Sequence, residues 1–148
     1  MKRSKRLDTV VNLAKRKLDE AGQALAFIQQ KLGDEQNKLA QLEEYLQEYR
    51  ATIKSAGSKG LSVQAFRRYA DFSENVAKAI TQQSQQVSTV EQQIMQVRQH
   101  WQMLDARHKG LLKLKDKAIV AEAVLYERQQ QKELDELAGR WHLKKPLF

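Results

Sequence analysis

SAGSKGLS, residues 55–62, separates two stretches that otherwise have the composition of uninterrupted helix. Gly57 and Gly60 can adopt the left-handed conformation that ends a helix. Ser62 is a typical N-cap residue for the helix that follows. The stretch therefore predicts a helix stop, a short turn and a helix start. Because a connection this short joins helices that lie side by side, we expect the two helices to be antiparallel neighbours.

The composition favours long helices with a thin core. Of the 148 residues, 41% are hydrophobic and 30% are charged, and the single proline is Pro146. Ala, Leu, Gln, Lys, Arg and Glu, which favour helix, are abundant. These proportions indicate an extended coiled coil and not a globular core.

A seven-residue apolar repeat runs through both stretches, as is typical of a left-handed coiled coil. In the first stretch its two apolar positions are 7, 14, 21, 28, 35, 42, 49 and 11, 18, 25, 32, 39, 46, 53, with Glu35 as the exception. In the second it includes positions 69, 73, 76, 80, 83, 87, 90, 94, 97, 101 and 104, with Ser73 and Gln83 as exceptions. After Leu104 the register loses its apolar character, and we expect a shifted one to replace it, at residues 111, 114, 118, 121 and 125.

The patterns predict an all-α fold, a two-helix antiparallel coiled-coil hairpin with a longer, overhanging C-terminal helix. We expect a single coiled-coil rod over residues 1–148. Its parts are helix 1 at about 4–55, a turn at 56–61, helix 2 at about 62–138 and a flexible tail at 139–148. With equal rises of about 1.5 Å per residue, residue i faces roughly residue 117 − i, so helix 1 ends near residue 113 of its partner. Glu35 and Gln83 then lie opposite each other as a core polar layer that fixes the register.

The net charge of +8 is concentrated in residues 1–17 and 107–117. Antiparallel pairing brings these segments together as one basic patch. Such a patch is consistent with solvated helix ends, with nucleic-acid binding, or with docking to an acidic protein. We favour protein docking, because residues 1–17 contain no aromatic residue and the chain has no recognisable nucleic-acid-reading module.

The sequence lacks the motifs of an enzyme. It has no cysteine, no nucleotide-binding glycine loop, no zinc-protease motif and no nucleophile elbow. His100, His108 and His142 lack metal-ligand spacing, and a two-helix rod has no deep pocket. We therefore predict a protein that is not an enzyme and needs no cofactor or metal. No apolar run is long enough for a membrane span or a signal peptide, which predicts a cytoplasmic protein.

A stripe near the turn comprises Phe72, Val76, Ala79 and Gln83, whose spacing puts them on one helix face. Val76 and Gln83 coincide with the core register, whereas Phe72 lies one position off it and should be partly exposed. The stripe either closes the tip of the hairpin or presents Phe72 to a partner.

The chain resembles the FliJ family, small coiled-coil components of the type III flagellar export apparatus. The resemblance lies in the basic N-terminus, the first heptad helix, the glycine-bearing turn that leads into GLSVQAFRRYADF (residues 60–72), and the longer second helix. It implies a non-catalytic part similar in shape to the central stalk of rotary ATPases. Such a protein docks into the ring of the export ATPase (FliI), contacts the export gate protein (FlhA) and recycles export chaperones. It is expected to be cytoplasmic, peripheral to the inner membrane at the flagellar basal body, and to serve motility and chemotaxis.

The resemblance also implies site residues. The gate contact matches Phe72, Val76, Ala79 and Gln83, and the end that holds both termini enters the ATPase ring. We expect cations and a bare apolar stripe to make the ring contact: Lys2, Arg3, Lys5, Arg6, Lys113, Lys117, Leu111, Leu114, Ala118, Ala121 and Leu125. Two alternatives are the equivalent stalk of a virulence type III secretion system and a basic nucleic-acid-binding coiled coil.

Overall fold

A computed structural model describes residues 2–144, with side chains for residues 2–143, as two α-helices. The first, α1, is Arg3–Gly57, and the second, α2, is Val63–Lys144. Contacts such as Glu35 with Gln83 run between residues far apart in sequence, as antiparallel pairing requires. No strand occurs within the described range. The prediction of an all-α helical hairpin is confirmed.

The turn between the helices contains one left-handed residue, Gly60, with φ 95°. Gly57 does not share this conformation, so the expectation is wrong for Gly57. The Ser58 N–H still donates to the Lys54 carbonyl, which extends the helical pattern beyond Gly57 and delays the reversal to Gly60. The Ser62 hydroxyl accepts a hydrogen bond from the Ala65 N–H at 3.1 Å, and so caps α2 as predicted.

The second helix is longer than predicted. It continues through Gly139 to Lys144, so the helix end expected at residue 138 is wrong. A helical glycine costs only about 1 kcal/mol relative to alanine, and the flanking Ala138 and Arg140 favour helix. The rest of the predicted tail, residues 145–148, lies outside the described residues.

Residues Glu20–Gln102 form one compact unit, here called the hairpin unit. Its buried side chains all occupy the predicted heptad positions, which confirms the register in this part of the chain. Val90 has no exposed surface. The other buried core residues are Ala21, Leu46, Val76, Val87 and Ile94.

Met1–Asp19 and Met103–Phe148 form the second unit, here called the terminal unit. The change of register expected after Leu104 is wrong, because residues 108, 111, 115, 118 and 122 stay buried or half-buried. Leu114 and Leu125 of the expected replacement register are 45% and 63% exposed. The polar members of the original register have polar partners from α1, since Lys115 pairs with Asp8 and Glu122 with Ser4.

The N-terminus of α1 reaches further along α2 than predicted. Ser4 is bonded to Glu122, so the overlap does not end near residue 113. The relation between residue i and residue 117 − i holds for residues at the same height along the two helices. A helical side chain instead leans toward the start of its own helix, and a first-turn amide points the same way, so Ser4 and Glu122 can bond from different heights. Beyond this contact, every residue from Ala123 to Leu143 is exposed. These residues, 123–143, are here called the α2 extension.

Candidate interaction surfaces

In the hairpin unit, Phe72 belongs to an aromatic cluster formed with α1. Its ring centroid lies 4.5 Å from that of Tyr49 and 6.1 Å from that of Tyr45. Tyr49 also stacks on Tyr69, with the centroids 5.4 Å apart. Phe72 is half-buried, so it packs between the two helices while part of its surface stays exposed.

The other predicted gate residues lie on the same stripe, and this stripe faces α1. Val76 is 9% exposed, so its side chain is unavailable to a partner while the helices are paired. Gln83 is half-buried and bonded to Glu35. Ala79 is half-buried. Phe72 and Ala79 are therefore the members best able to contact another protein.

Glu35 and Gln83 meet across the two helices. The Gln83 side-chain amide donates to the Glu35 carbonyl at 2.9 Å and to its carboxylate at 2.5 Å. The Lys38 ammonium lies 3.6 Å from the other carboxylate oxygen. The half-buried carboxylate is thus satisfied by both an amide and a cation, as polar groups in a coiled-coil core require. Its role in fixing the register stays a prediction.

In the terminal unit, several predicted ring-docking residues meet around one groove of about 410 Å³. Its apolar lining comes from α2, and its cations are Arg3 from α1 and Lys117 from α2. The full lining is Arg3, Leu114, Lys117, Ala118, Ala121, Glu122 and Leu125. The remaining predicted cations, Lys2, Lys5, Arg6 and Lys113, are all exposed in the same unit.

The expected bare stripe is only partly bare. Ala118 is 8% exposed and Leu111 is half-buried, because α1 covers α2 as far as Glu122. The expectation that no part of the chain covers these two residues is wrong. Leu114, Ala121 and Leu125 remain exposed.

A bond between the start of α1 and α2 was missed by the sequence analysis. The Ser4 N–H donates to one Glu122 carboxylate oxygen at 3.0 Å, and the Ser4 hydroxyl donates to the other at 2.7 Å. These two bonds, with a smaller contribution from the Lys2 charge, lower the pKa of Glu122 although burial opposes them. The carboxylate thereby satisfies a first-turn amide that would lack a partner within its own helix. A polar residue in a heptad position was the only signal in the sequence.

Among the described residues there is neither a metal-binding cluster nor a membrane-spanning segment. Within residues 2–144, no group of three or more histidines and carboxylates is arranged to hold a metal ion. Nor does any helix in this range have a segment long and apolar enough to cross a membrane. The groove of the terminal unit combines apolar side chains with Arg3, Lys117 and the Ser4-bonded Glu122.

Sequence comparisons point to one family. The family described as flagellar FliJ protein matches residues 3–147. The flagellar FliJ protein of Salmonella typhi is 26% identical over 140 residues, which are 95% of either chain. The flagellar FliJ protein of Escherichia coli (strain K12) is 27% identical with the same coverage. No solved structure matches the chain significantly.

Proposed function

The chain belongs to the flagellar FliJ protein family, and we propose that it acts as a non-catalytic docking component of flagellar protein export. As a family member it serves flagellum assembly, protein export and motility. The finer proposal is that its terminal unit docks into the ring of the export ATPase, while its hairpin unit contacts the export gate. We also propose that it takes part in recycling export chaperones.

The observation that carries the ring-docking proposal is the groove of the terminal unit. Leu114, Ala121 and Leu125 leave apolar surface exposed there, and such surface on a helix usually marks an interaction site. Arg3 and Lys117 add positive charge at the edge of the same groove. Cations around an apolar patch steer an acidic partner toward it and fix its orientation.

The gate contact is proposed for Phe72 and Ala79 of the hairpin unit. The Phe72 ring is held against Tyr49, which limits the side-chain entropy that it loses when a partner binds. Aromatic residues held in this way are frequent anchors of protein interfaces. Binding there would bring the protein to the inner membrane through the gate protein.

Equilibrium binding to the purified export ATPase tests ring docking. The double variant Leu114→Asp/Leu125→Asp places two charges in the apolar groove and should weaken binding at least tenfold, about 1.4 kcal/mol or more. Both residues are exposed, so the melting temperature should stay nearly unchanged. Phe66→Asp is the matched control, since Phe66 is 59% exposed in the hairpin unit. Normal binding by the double variant, or an equal loss in Phe66→Asp, would contradict ring docking by the terminal unit.

The gate contact needs a separate control, because Phe72 also packs inside the chain. Phe72→Ala should reduce binding to the export gate protein by several-fold more than Tyr45→Ala, which removes a ring from the same cluster. Circular dichroism would show whether both variants remain helical. An equal loss in both variants would assign the effect to the packing of the cluster and contradict the contact.

A further inference from the structure

One side of α2 between residues 116 and 139 has no basic residue. A helix turns by about 100° per residue, so the positions of this stretch can be sorted by direction. Within one arc of about 140°, all side chains are apolar or acidic except for a single glutamine. They are Asp116, Ile119, Glu122, Ala123, Tyr126, Glu127, Gln130, Glu133, Leu134 and Leu137. This side is here called the acid–apolar face.

The apolar residues of this face are exposed. The exposed fractions are 45% for Ile119, 63% for Tyr126, 59% for Leu134 and 63% for Leu137. Their spacing follows one helix face over about five turns. A stripe that stays this exposed over its whole length has the pattern of a binding surface.

The charges on this stretch are segregated. The cations Lys117, Arg128 and Lys132 lie outside the arc, on the other side of the helix. Lys115 and Arg140 follow the arc just beyond the two ends of the stretch, and Arg140 lies near Glu133 and Leu137. Within the arc, Asp116, Glu127 and Glu133 are exposed, and none of the three forms a salt bridge within the described part of the chain. Carboxylates thus flank the apolar stripe on both sides in a protein whose net charge is +8.

We propose that the acid–apolar face binds an amphipathic helix of a partner protein whose apolar stripe is flanked by lysine and arginine. Helices recognise such a face through apolar residues three and four positions apart. Cations beside the partner's stripe would pair with Asp116, Glu127 and Glu133, as flanking residues do in coiled coils. A symmetric dimer formed through this face is disfavoured, because it would bring carboxylates against carboxylates.

This binding face differs from the groove proposed for ring docking, except that Glu122 lies at the edge of both. Leu114, Lys117, Ala121 and Leu125 point to the opposite side of α2, on the same count of about 100° per residue. The terminal unit therefore offers two surfaces of opposite charge.

Two synthetic amphipathic helices with identical apolar residues serve as probes, one flanked by lysine and arginine and the other by glutamate. Binding of each labelled peptide to the full chain is measured by fluorescence anisotropy at two salt concentrations. The cationic peptide should bind at least tenfold more tightly than the acidic one, and more weakly at high salt. Glu127→Gln/Glu133→Gln should reduce both its affinity and its salt dependence.

The apolar contribution is tested with a matched pair of double variants. Leu134→Gln/Leu137→Gln should weaken the cationic peptide at least tenfold, whereas Leu114→Gln/Leu125→Gln, on the opposite side of α2, should leave its affinity unchanged. The proposal is overturned by equal binding of the two peptides or by an equal loss in the two variants. A different outcome is that the free chain self-associates through this face, and that the self-association disappears in Leu134→Gln/Leu137→Gln. That result would also overturn the proposal, because a second copy of the chain would be what binds the acid–apolar face. ATPase binding should persist in that variant, so either proposal can fail without the other.

Discussion

Both units bury apolar residues from both helices, but among the described residues only Val90 of the hairpin unit has no exposed surface. From Ala123 onward the terminal unit exposes every described side chain of α2. The same helix type thus uses its apolar surface for packing in one region and leaves it accessible in the other. The difference agrees with the proposal that the terminal unit carries the ring-docking surface.

The polar contacts between the helices are also more buried in the hairpin unit than in the terminal unit. Gln83 and Glu35 are half-buried and meet inside the heptad seam. Lys115 and Asp8 form an ion pair whose side chains keep 30% and 43% of their surface exposed. Exposed ion pairs contribute little to stability and are screened by salt. Contacts in the terminal unit should therefore be weaker and more sensitive to solution conditions.

The largest difference should come from valine truncation in the two units. Val90→Ala removes two fully buried methyl groups and should cost roughly 2 kcal/mol of unfolding free energy. Val120 is 62% exposed in the terminal unit, so Val120→Ala should change that free energy by less than about 0.5 kcal/mol. Urea denaturation followed by circular dichroism measures both. Equal losses of unfolding free energy in Val90→Ala and Val120→Ala would show that the two positions do not differ in burial as described.

A double-mutant cycle on Glu35 and Gln83 should give the next largest effect. Gln83→Leu leaves the half-buried Glu35 carboxylate without its amide donor and should cost about 1–2 kcal/mol. Changing both residues to leucine should restore or exceed the native stability, while loosening the register or the oligomeric state. Strictly additive single changes would mean that the two side chains do not depend on each other.

Glycine replacements should distinguish global from local stabilisation. No atom lies within 4 Å of a Cβ added at Gly33 or at Gly139, so alanine fits at both positions. Gly33→Ala in the hairpin unit should raise the unfolding free energy by about 0.5–1 kcal/mol. Gly139→Ala lies in the α2 extension and should increase local helicity without moving the melting temperature. A shift of the melting temperature by Gly139→Ala would show that the extension unfolds together with the rest.

The smallest effect is expected at Ser4 and Glu122, and it depends on pH. The Ser4 bonds lower the folded-state pKa of Glu122, so their contribution is complete above the ordinary carboxyl pKa of about 4.3. The contribution of the Ser4 bonds is lost as the pH falls below the ordinary carboxyl pKa and then through the lowered folded-state pKa of Glu122. The protection of the Ser4 amide against hydrogen exchange, measured relative to the intrinsic exchange rate at each pH, should therefore fall at acidic pH. Glu122→Gln should remove the part of this fall that comes from the carboxylate; persistence of the full pH dependence would assign it to another group.

The heptad positions could be predicted from the sequence, because apolar residues that repeat every seven positions lie on one helix face and that face is buried against the partner helix. The same rule failed after Leu104, where Lys115 and Glu122 interrupt the apolar pattern but remain in the seam. Their partners, Asp8 and Ser4, are more than 100 residues away in sequence, and only the paired structure reveals them. Polar residues in a heptad cannot be interpreted without knowing what lies opposite.

The binding surfaces could be predicted only in part, because helix pairing can be read from the sequence but the extent of the pairing cannot. Arg3, Lys117 and Leu125 could be assigned to one unit because helix pairing brings the two basic segments together. The burial of Ala118 could not, since it depends on how far α1 reaches. The acid–apolar face follows from spacing alone, yet its stripe lies outside the heptad seam on which the sequence analysis concentrated.

The central proposal, that ring docking resides in the terminal unit, is tested most directly by the rate of association with the export ATPase. Arg3→Glu/Lys117→Glu reverses two groove cations, and Arg67→Glu/Arg68→Glu reverses two exposed cations of the hairpin unit. Stopped-flow measurements at several salt concentrations compare both with the native chain. The account predicts that association slows about tenfold and becomes less sensitive to salt in the terminal variant alone. A native rate in the terminal variant, or an equal slowing in the hairpin variant, would contradict it.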